Sequence, residues 1–151
     1  MKFKGFTLVE LIVVIAIIGI LAAILVPSMM GYIKSSRYKS ANGNAKTVYT
    51  AAATYITEYA ENPDSKSAPS SVTDGTVAEY TDGTRCTSVA MAVNKYLGAD
   101  AIGSHYSVVC TSTSVELALW SKDGAEYIGS YPDANDPDSP QYTSMTPTAG
   151  N

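Results

Sequence analysis

The chain opens on a run of side chains that water does not favour. From Leu11 to Ile33 no charged residue occurs, and Leu11 to Val26 is almost wholly Leu, Ile, Val and Ala. At about 1.5 Å of rise per residue, some 20 apolar residues cross a hydrocarbon layer of ~30 Å, so the pattern predicts a membrane-spanning helix. A secretory signal peptide is the alternative, because Lys2 and Lys4 supply a positive start. Against it, no Ala-x-Ala site follows the run, and Glu10 stands at its head, where a carboxylate is expensive.

Beyond Pro27 the pattern changes from solid to striped. Ala41, Ala45, Val48, Ala52, Tyr55 and Tyr59 recur at spacings of three and four, while Lys39, Asn42, Lys46, Thr50 and Thr57 fall on the other side. That is the signature of an amphipathic helix, and it predicts one continuous helix to about Glu61, with its alanines allowing close approach of a sheet. Gly43 weakens it by up to about 1 kcal/mol, an amount that packing commonly overrides. Gly19 and Pro27 weaken the apolar half, glycine through low propensity and proline through its missing N–H and its clash with the carbonyl of Ala23.

From Asn62 to Thr84 the sequence is dense in Pro, Ser, Asp, Thr and Gly and reads as a loop. Thr87 or Ser88 can then cap a short helix through Tyr96 and Leu97, closed by Gly98. Tyr106–Cys110, Val115–Trp120 and Glu126–Tyr131 read as strands, with Lys122, Asp123 and Gly124 turning between the last two. The expected fold class is α+β: a long N-terminal α-helix, apolar in its first half and amphipathic in its second, packed on a small antiparallel β-sheet head. The expected segments are a leader at 1–5, an apolar helix at 6–33, an amphipathic helix at 34–61 and a globular head at 62–151.

Composition narrows the function. The chain has 151 residues, room for one ordinary domain and an anchor. Ten basic side chains face fourteen acidic ones, a net of −4, without the clustered basic face that phosphate neutralisation requires. Nucleic acid is therefore not a predicted partner. Lys34, Arg37 and Lys39, just past the span, compete with Lys2 and Lys4 for the cytoplasmic side, so charge counting alone leaves orientation open.

Met1-Lys-Phe-Lys-Gly5 followed by Phe6-Thr-Leu-Val-Glu10 and an apolar helix resembles the class III leader of type IV prepilins. The likeness is close from Lys4 to about Ile33 and holds only in general plan beyond. It implies cleavage after Gly5 by a prepilin peptidase and N-methylation of Phe6. It further implies a single-pass precursor in the cytoplasmic membrane, N-terminus inside, and delivery through a pilus assembly platform to a helical homo-oligomeric filament outside the cell. Gly19 and Pro27 match positions that border a stretch losing helicity inside some filaments of this family. Alternatives are a pseudopilin of a type II secretion or DNA-uptake machine, a pilin-like adhesin for a polysaccharide surface such as cellulose, and an anchored surface protein that never polymerises. Cleavage would remove two lysines, leaving a net of −6.

Glu10 can also be argued from physics. An acid at the centre of a spanning helix costs roughly 2.5–3.5 kcal/mol on insertion scales, so a partner is expected. A new α-amine at Phe6 would lie one helical turn away, in the same chain or a neighbour. An intermolecular pair would act as a register device for assembly; a carboxylate merely protonated or solvated near the headgroups is the alternative.

The remaining candidates are few. Cys86 and Cys110 lack the spacing and extra ligands of a zinc or redox motif. A disulfide between them would close a loop of 25 residues, worth about 3 kcal/mol in the chain-entropy model, with two reduced thiols as the alternative. Asp133, Asp136 and Asp138 could furnish calcium ligands, as major secretion pseudopilins hold calcium near their C-terminal end, but their spacing matches no loop pattern. A solvated, proline-punctuated loop is the other reading, and no cofactor is expected. His105 is the sole histidine, and no nucleophile elbow or phosphate loop occurs, so no catalysis is predicted. Trp120 and the tyrosines could stack on sugars, though aromatics serve more often as core or interface.

Overall fold

The computed structural model describes residues 6–80 and 86–147. The leader, with Gly5 and the lysines at 2 and 4, lies outside the described residues, as does the end of the predicted loop at Thr84. Two compact units are present, one extending to Ser35 and the other beginning at Ser36.

One helix, α1, runs from Leu8 to Glu61 as predicted, and Pro27 sits inside it. Ser28 Oγ donates to the carbonyl of Leu25 at 2.8 Å, so a hydroxyl re-engages backbone beside the proline, as such breaks allow. Among the described residues of the first unit nothing covers the helix: its large apolar side chains from Phe6 to Ile33 are 46–81% exposed.

The second unit is built on the other half of α1. Ala41, Ala45, Val48, Ala51, Ala52, Tyr55 and Ile56 are buried, which bears out the stripe through Tyr55 and extends it to Ala51 and Ile56. Small side chains let the sheet come close. A Cβ added to Gly129 would collide with the carbonyl of Ala41, so strand and helix meet backbone to backbone. On the solvent side, Thr47, Thr50, Thr54 and Thr57 each donate a hydroxyl to the carbonyl one turn earlier, at 3.3, 2.9, 2.9 and 3.1 Å.

Helix α2 spans Val89–Leu97, capped by Ser88, whose hydroxyl accepts from the N–H of Met91, and closed by Gly98 at φ 73°. The sheet is antiparallel throughout, in the order β1 (Val72–Thr76), β2 (His105–Cys110), β3 (Val115–Ser121), β4 (Gly129–Tyr131). Its β2–β3 pairing sets Tyr106 opposite Trp120 and Val108 opposite Ala118. Tyr106, Val108, Ala118 and Trp120 join Val89, Ala92, Val93 and the α1 stripe in one core.

Two expectations need correction. The segment read as a loop contains the 3-10 turn Pro63–Ser65 and strand β1. β1 has no alternating pattern because it is held from outside: Ser107 Oγ accepts from the N–H of Asp74 at 2.9 Å, Asp74 takes φ 48°, and the register slips between Val72 and Gly75. The last strand starts at Gly129, not Glu126. The intervening residues form a loop that Asp123 organises, Oδ1 accepting from the N–H groups of Ala125 (3.2 Å) and Glu126 (2.9 Å), with Ser121 Oγ donating to the carbonyl of Glu126 at 2.7 Å.

Candidate functional site

The first site is the start of α1. Thr7 precedes the helix and Glu10 is its third residue. Glu10 Oε2 accepts from the Thr7 N–H at 2.9 Å and from its hydroxyl at 2.7 Å, while Thr7 Oγ1 accepts from the N–H of Glu10 at 3.3 Å. This is a reciprocal capping box, Thr-x-x-Glu, which satisfies two orphan donors at once. Thr7 is a residue of this site beyond those expected from the sequence, although the four-residue pattern Thr7-x-x-Glu10 stands there. Glu10 and Phe6 both remain open to the surroundings, with the apolar face of residues 8–33 behind them. By length and composition α1 is the one described helix able to cross a membrane. Gly19 has open space around it.

A second site lies in the other unit, where Arg37 and Ser40 of α1 face the loop after β3. The two elements enclose a groove of about 400 Å³, floored by Trp120 and edged by Lys122, Asp123 and Glu126. The Arg37 guanidinium sits 5.0 Å from the ring centre of Tyr127, and Tyr38 meets the same ring edge-on at 5.5 Å. Hydrogen bonds from the N–H groups of Glu126 and Ala125 hold the Asp123 carboxyl below the usual carboxylate range, which keeps it anionic. Trp120 is buried, and its indole N–H donates to Ser104 Oγ at 3.0 Å. It is not an exposed stacking platform.

Cys86 and Cys110 stand as free, half-buried thiols packed against the same core. Burial pushes the Cys110 thiol up, opposed by its bond with Ser71. Asp136 is spent locally, Oδ1 accepting from the N–H of Asp138 at 2.8 Å, and the carbonyl of Asp133 takes the Ser130 hydroxyl at 2.5 Å. Among the described residues no three His, Cys, Asp or Glu side chains are grouped to hold a metal ion. His105 Nδ1 pairs with Asp74 Oδ1 at 2.9 Å. The nearby Ser107 hydroxyl donates to the carbonyl of Met145 and is not bonded to the imidazole.

A long helix on a four-stranded antiparallel sheet, with a bare apolar segment leading into it, defines an α+β protein built around an unpaired N-terminal helix. Residues 1–26 match the prokaryotic N-terminal methylation motif. The chain is 46% identical over 55 residues to the type IV major pilin protein PilA of Myxococcus xanthus, 36% of this chain and 25% of that protein. It is 43% identical over 61 residues to the type IV major fimbrial protein FimA of Dichelobacter nodosus, 40% of this chain and 39% of that one. Fimbrial protein Q of Moraxella bovis is 37% identical over 101 residues, 67% of this chain and 64% of that protein. The methylation motif and these relatives support a type IV pilin. Its match covers only a quarter to about two fifths of the first two relatives. No solved structure matches it significantly.

Proposed function

We propose that the chain is a structural subunit of an extracellular type IV pilus. It would be cleaved after Gly5, methylated on Phe6, held as a single-pass precursor in the cytoplasmic membrane, and assembled through the helix of residues 6–33. The observation that carries this is the apolar face of that helix, uncovered from Phe6 to Ile33, in a segment that the methylation motif spans as far as residue 26. Such an area is tolerated only in lipid or against other copies of itself. Moving from one to the other exchanges apolar contact for apolar contact, so the direction of assembly must come from something else.

Glu10 supplies it. The capping box draws its carboxylate toward the chain's start, beside the amine that cleavage would create at Phe6. A neighbour's amine there would pair with a charge otherwise stranded in hydrocarbon, and a subunit out of register would leave both unpaired. The head of residues 62–151 would then coat the fibre. Cys86 and Cys110, both packed against one core, would pair after export, when the compartment is oxidising.

Mass spectrometry of material sheared from the cell surface tests the reading. Methylated Phe6 as the first residue of filament protein is expected. Intact Met1, found only in membranes, would reduce the chain to a simple anchor.

A further inference from the structure

We propose that the groove over Trp120 binds the zwitterionic headgroup of a phospholipid with a primary ammonium, of the phosphatidylethanolamine class, while the precursor stands in the membrane. The inference rests on residues 6–33 being a membrane span.

Four charged side chains edge this groove, Arg37 and Lys122 against Asp123 and Glu126. Among the described residues none of the four is in an ion pair; the two that occur are Lys66–Glu58 and His105–Asp74. Opposite charges around one cavity that make no direct ion pair with each other are complementary to a ligand that carries both signs. Tyr127 holds Arg37 by its ring face, an interaction that leaves the guanidinium N–H donors for a phosphate, their preferred bidentate partner. Asp123 is kept ionised, and its Oδ1 takes the N–H bonds of Ala125 and Glu126. Oδ2 and the Glu126 carboxylate therefore remain for an ammonium. Ser40 adds a hydroxyl at the rim.

Placement favours a lipid over a soluble zwitterion. Ile33 ends the apolar run and Arg37 follows one turn later, about 6 Å along the helix. The headgroup layer beyond the hydrocarbon is of that depth, roughly 5–7 Å. Arg37 thus falls at the level of the headgroups, with Ser40 nearly one turn further out, about 4.5 Å along the helix.

Trp120 is the chain's single tryptophan; it lines this groove and an adjoining cavity beside Leu97 and Ser104, whereas Arg37 and Glu126 edge only the groove, so its emission is read against variants of those two. The full chain is placed in phosphatidylcholine nanodiscs, and phosphatidylethanolamine or phosphatidylglycerol is raised in separate series. Half-saturation with phosphatidylethanolamine is expected at a several-fold lower share than with phosphatidylglycerol, which lacks the ammonium. Arg37→Gln should weaken both responses by about tenfold, the value of a lost charge-assisted bond. Glu126→Gln should abolish the preference while leaving the phosphatidylglycerol response in place. Both side chains are exposed, and unchanged emission in pure phosphatidylcholine verifies that each variant folds.

Equal responses to the lipids, or an equal response to inorganic phosphate alone, would overturn the proposal. A chain that stays out of the nanodisc would overturn it together with the membrane reading. A chain that inserts, and that yields filaments with methylated Phe6, but whose Trp120 does not discriminate, would overturn this inference and leave the pilin reading standing.

Discussion

Asn42 and Asn135 hold each other by two hydrogen bonds, the Asn42 amide donating to the carbonyl of Asn135 at 3.0 Å and the Asn135 N–H donating to Asn42 Oδ1 at 3.1 Å. Asn42 Oδ1 also receives the N–H of Ser130 in β4 at 2.9 Å. Asn135, fully buried, extends the network: its amide donates to the carbonyls of Ile128 and Tyr142 at 2.7 and 2.8 Å, and its Oδ1 accepts from the N–H groups of Gln141 and Tyr142 at 2.6 and 3.1 Å. Two amide side chains thereby tie β4 and the segment after it to α1.

Asn135→Ala strands two buried carbonyls and two N–H groups, and should cost about 2–4 kcal/mol. Asn135→Asp should be at least as harmful, because a carboxylate would face two carbonyl oxygens in place of the amide donors. Chemical unfolding followed by Trp120 emission measures both, and stability within about 0.5 kcal/mol of the parent would refute the clamp.

Gly129 meets the backbone of Ala41, which has no side-chain torsion with which to yield. Gly129→Ala should therefore destabilise the head by 3 kcal/mol or more, at or beyond the top of the usual overpacking range of about 1–3 kcal/mol. Gly43→Ala, in open space on the same helix, should instead stabilise by up to about 1 kcal/mol. Thermal melts of the two variants should move in opposite directions.

Glu10 carries two roles that substitution can separate. Glutamine serves the third position of a capping box as glutamate does, so Glu10→Gln should keep the start of α1 while removing the charge. Filament yield should collapse even so. Thr7→Val should do the reverse, speeding amide exchange of the first turn by roughly fivefold while filaments still form. Normal filaments from Glu10→Gln would remove charge pairing from the assembly mechanism.

Asp123 gives the head an acid-sensitive loop. Its carboxyl lies below the ordinary value because the folded loop's N–H groups favour the ionised form. That contribution is complete above the unfolded carboxyl's range near 4 and is lost as pH falls through the lower folded value. The side chain is exposed, so the effect stays below about 1 kcal/mol. Parent and Asp123→Asn should differ in urea midpoint at pH 6 and converge near pH 2; a gap that widens on acidification would contradict this.

Cys110 should react slowly. Burial raises its thiol, and the thiolate is the nucleophile, so in reduced, folded protein iodoacetamide should label it at least several-fold more slowly than a free cysteine at pH 8. Urea should abolish the difference. If Cys86 and Cys110 pair after export, protein from the cell surface will take up no label in urea until a reductant is added.

What the sequence disclosed, and what it withheld, follows from which contacts are local. α1 was legible to its last residue because periodicity and an absence of charge are properties of the segment itself. Ser88 and Gly98 announced α2 by the same logic of neighbours. β1 was hidden because Val72-Thr-Asp-Gly-Thr76 becomes a strand only when Ser107 and Tyr106 of β2 lie beside it, Gly75 leaving room for the Tyr106 ring. The predicted start of the last strand at Glu126 failed for a related reason, since Asp123 draws the backbone of Ala125 and Glu126 into its own loop. The groove over Trp120 was likewise out of reach, its edges lying on α1 and on a loop some eighty positions later. The Thr7–Glu10 box needed no distant partner and was readable from spacing alone.

The threonines at 47, 50, 54 and 57 read in the sequence as a hydrophilic row. With each hydroxyl proton already committed to its own helix, water meets there mainly methyl groups and oxygens that only accept. Covering that row would strip away few bound waters, and it would behave toward an approaching surface more like a line of valines than its letters suggest.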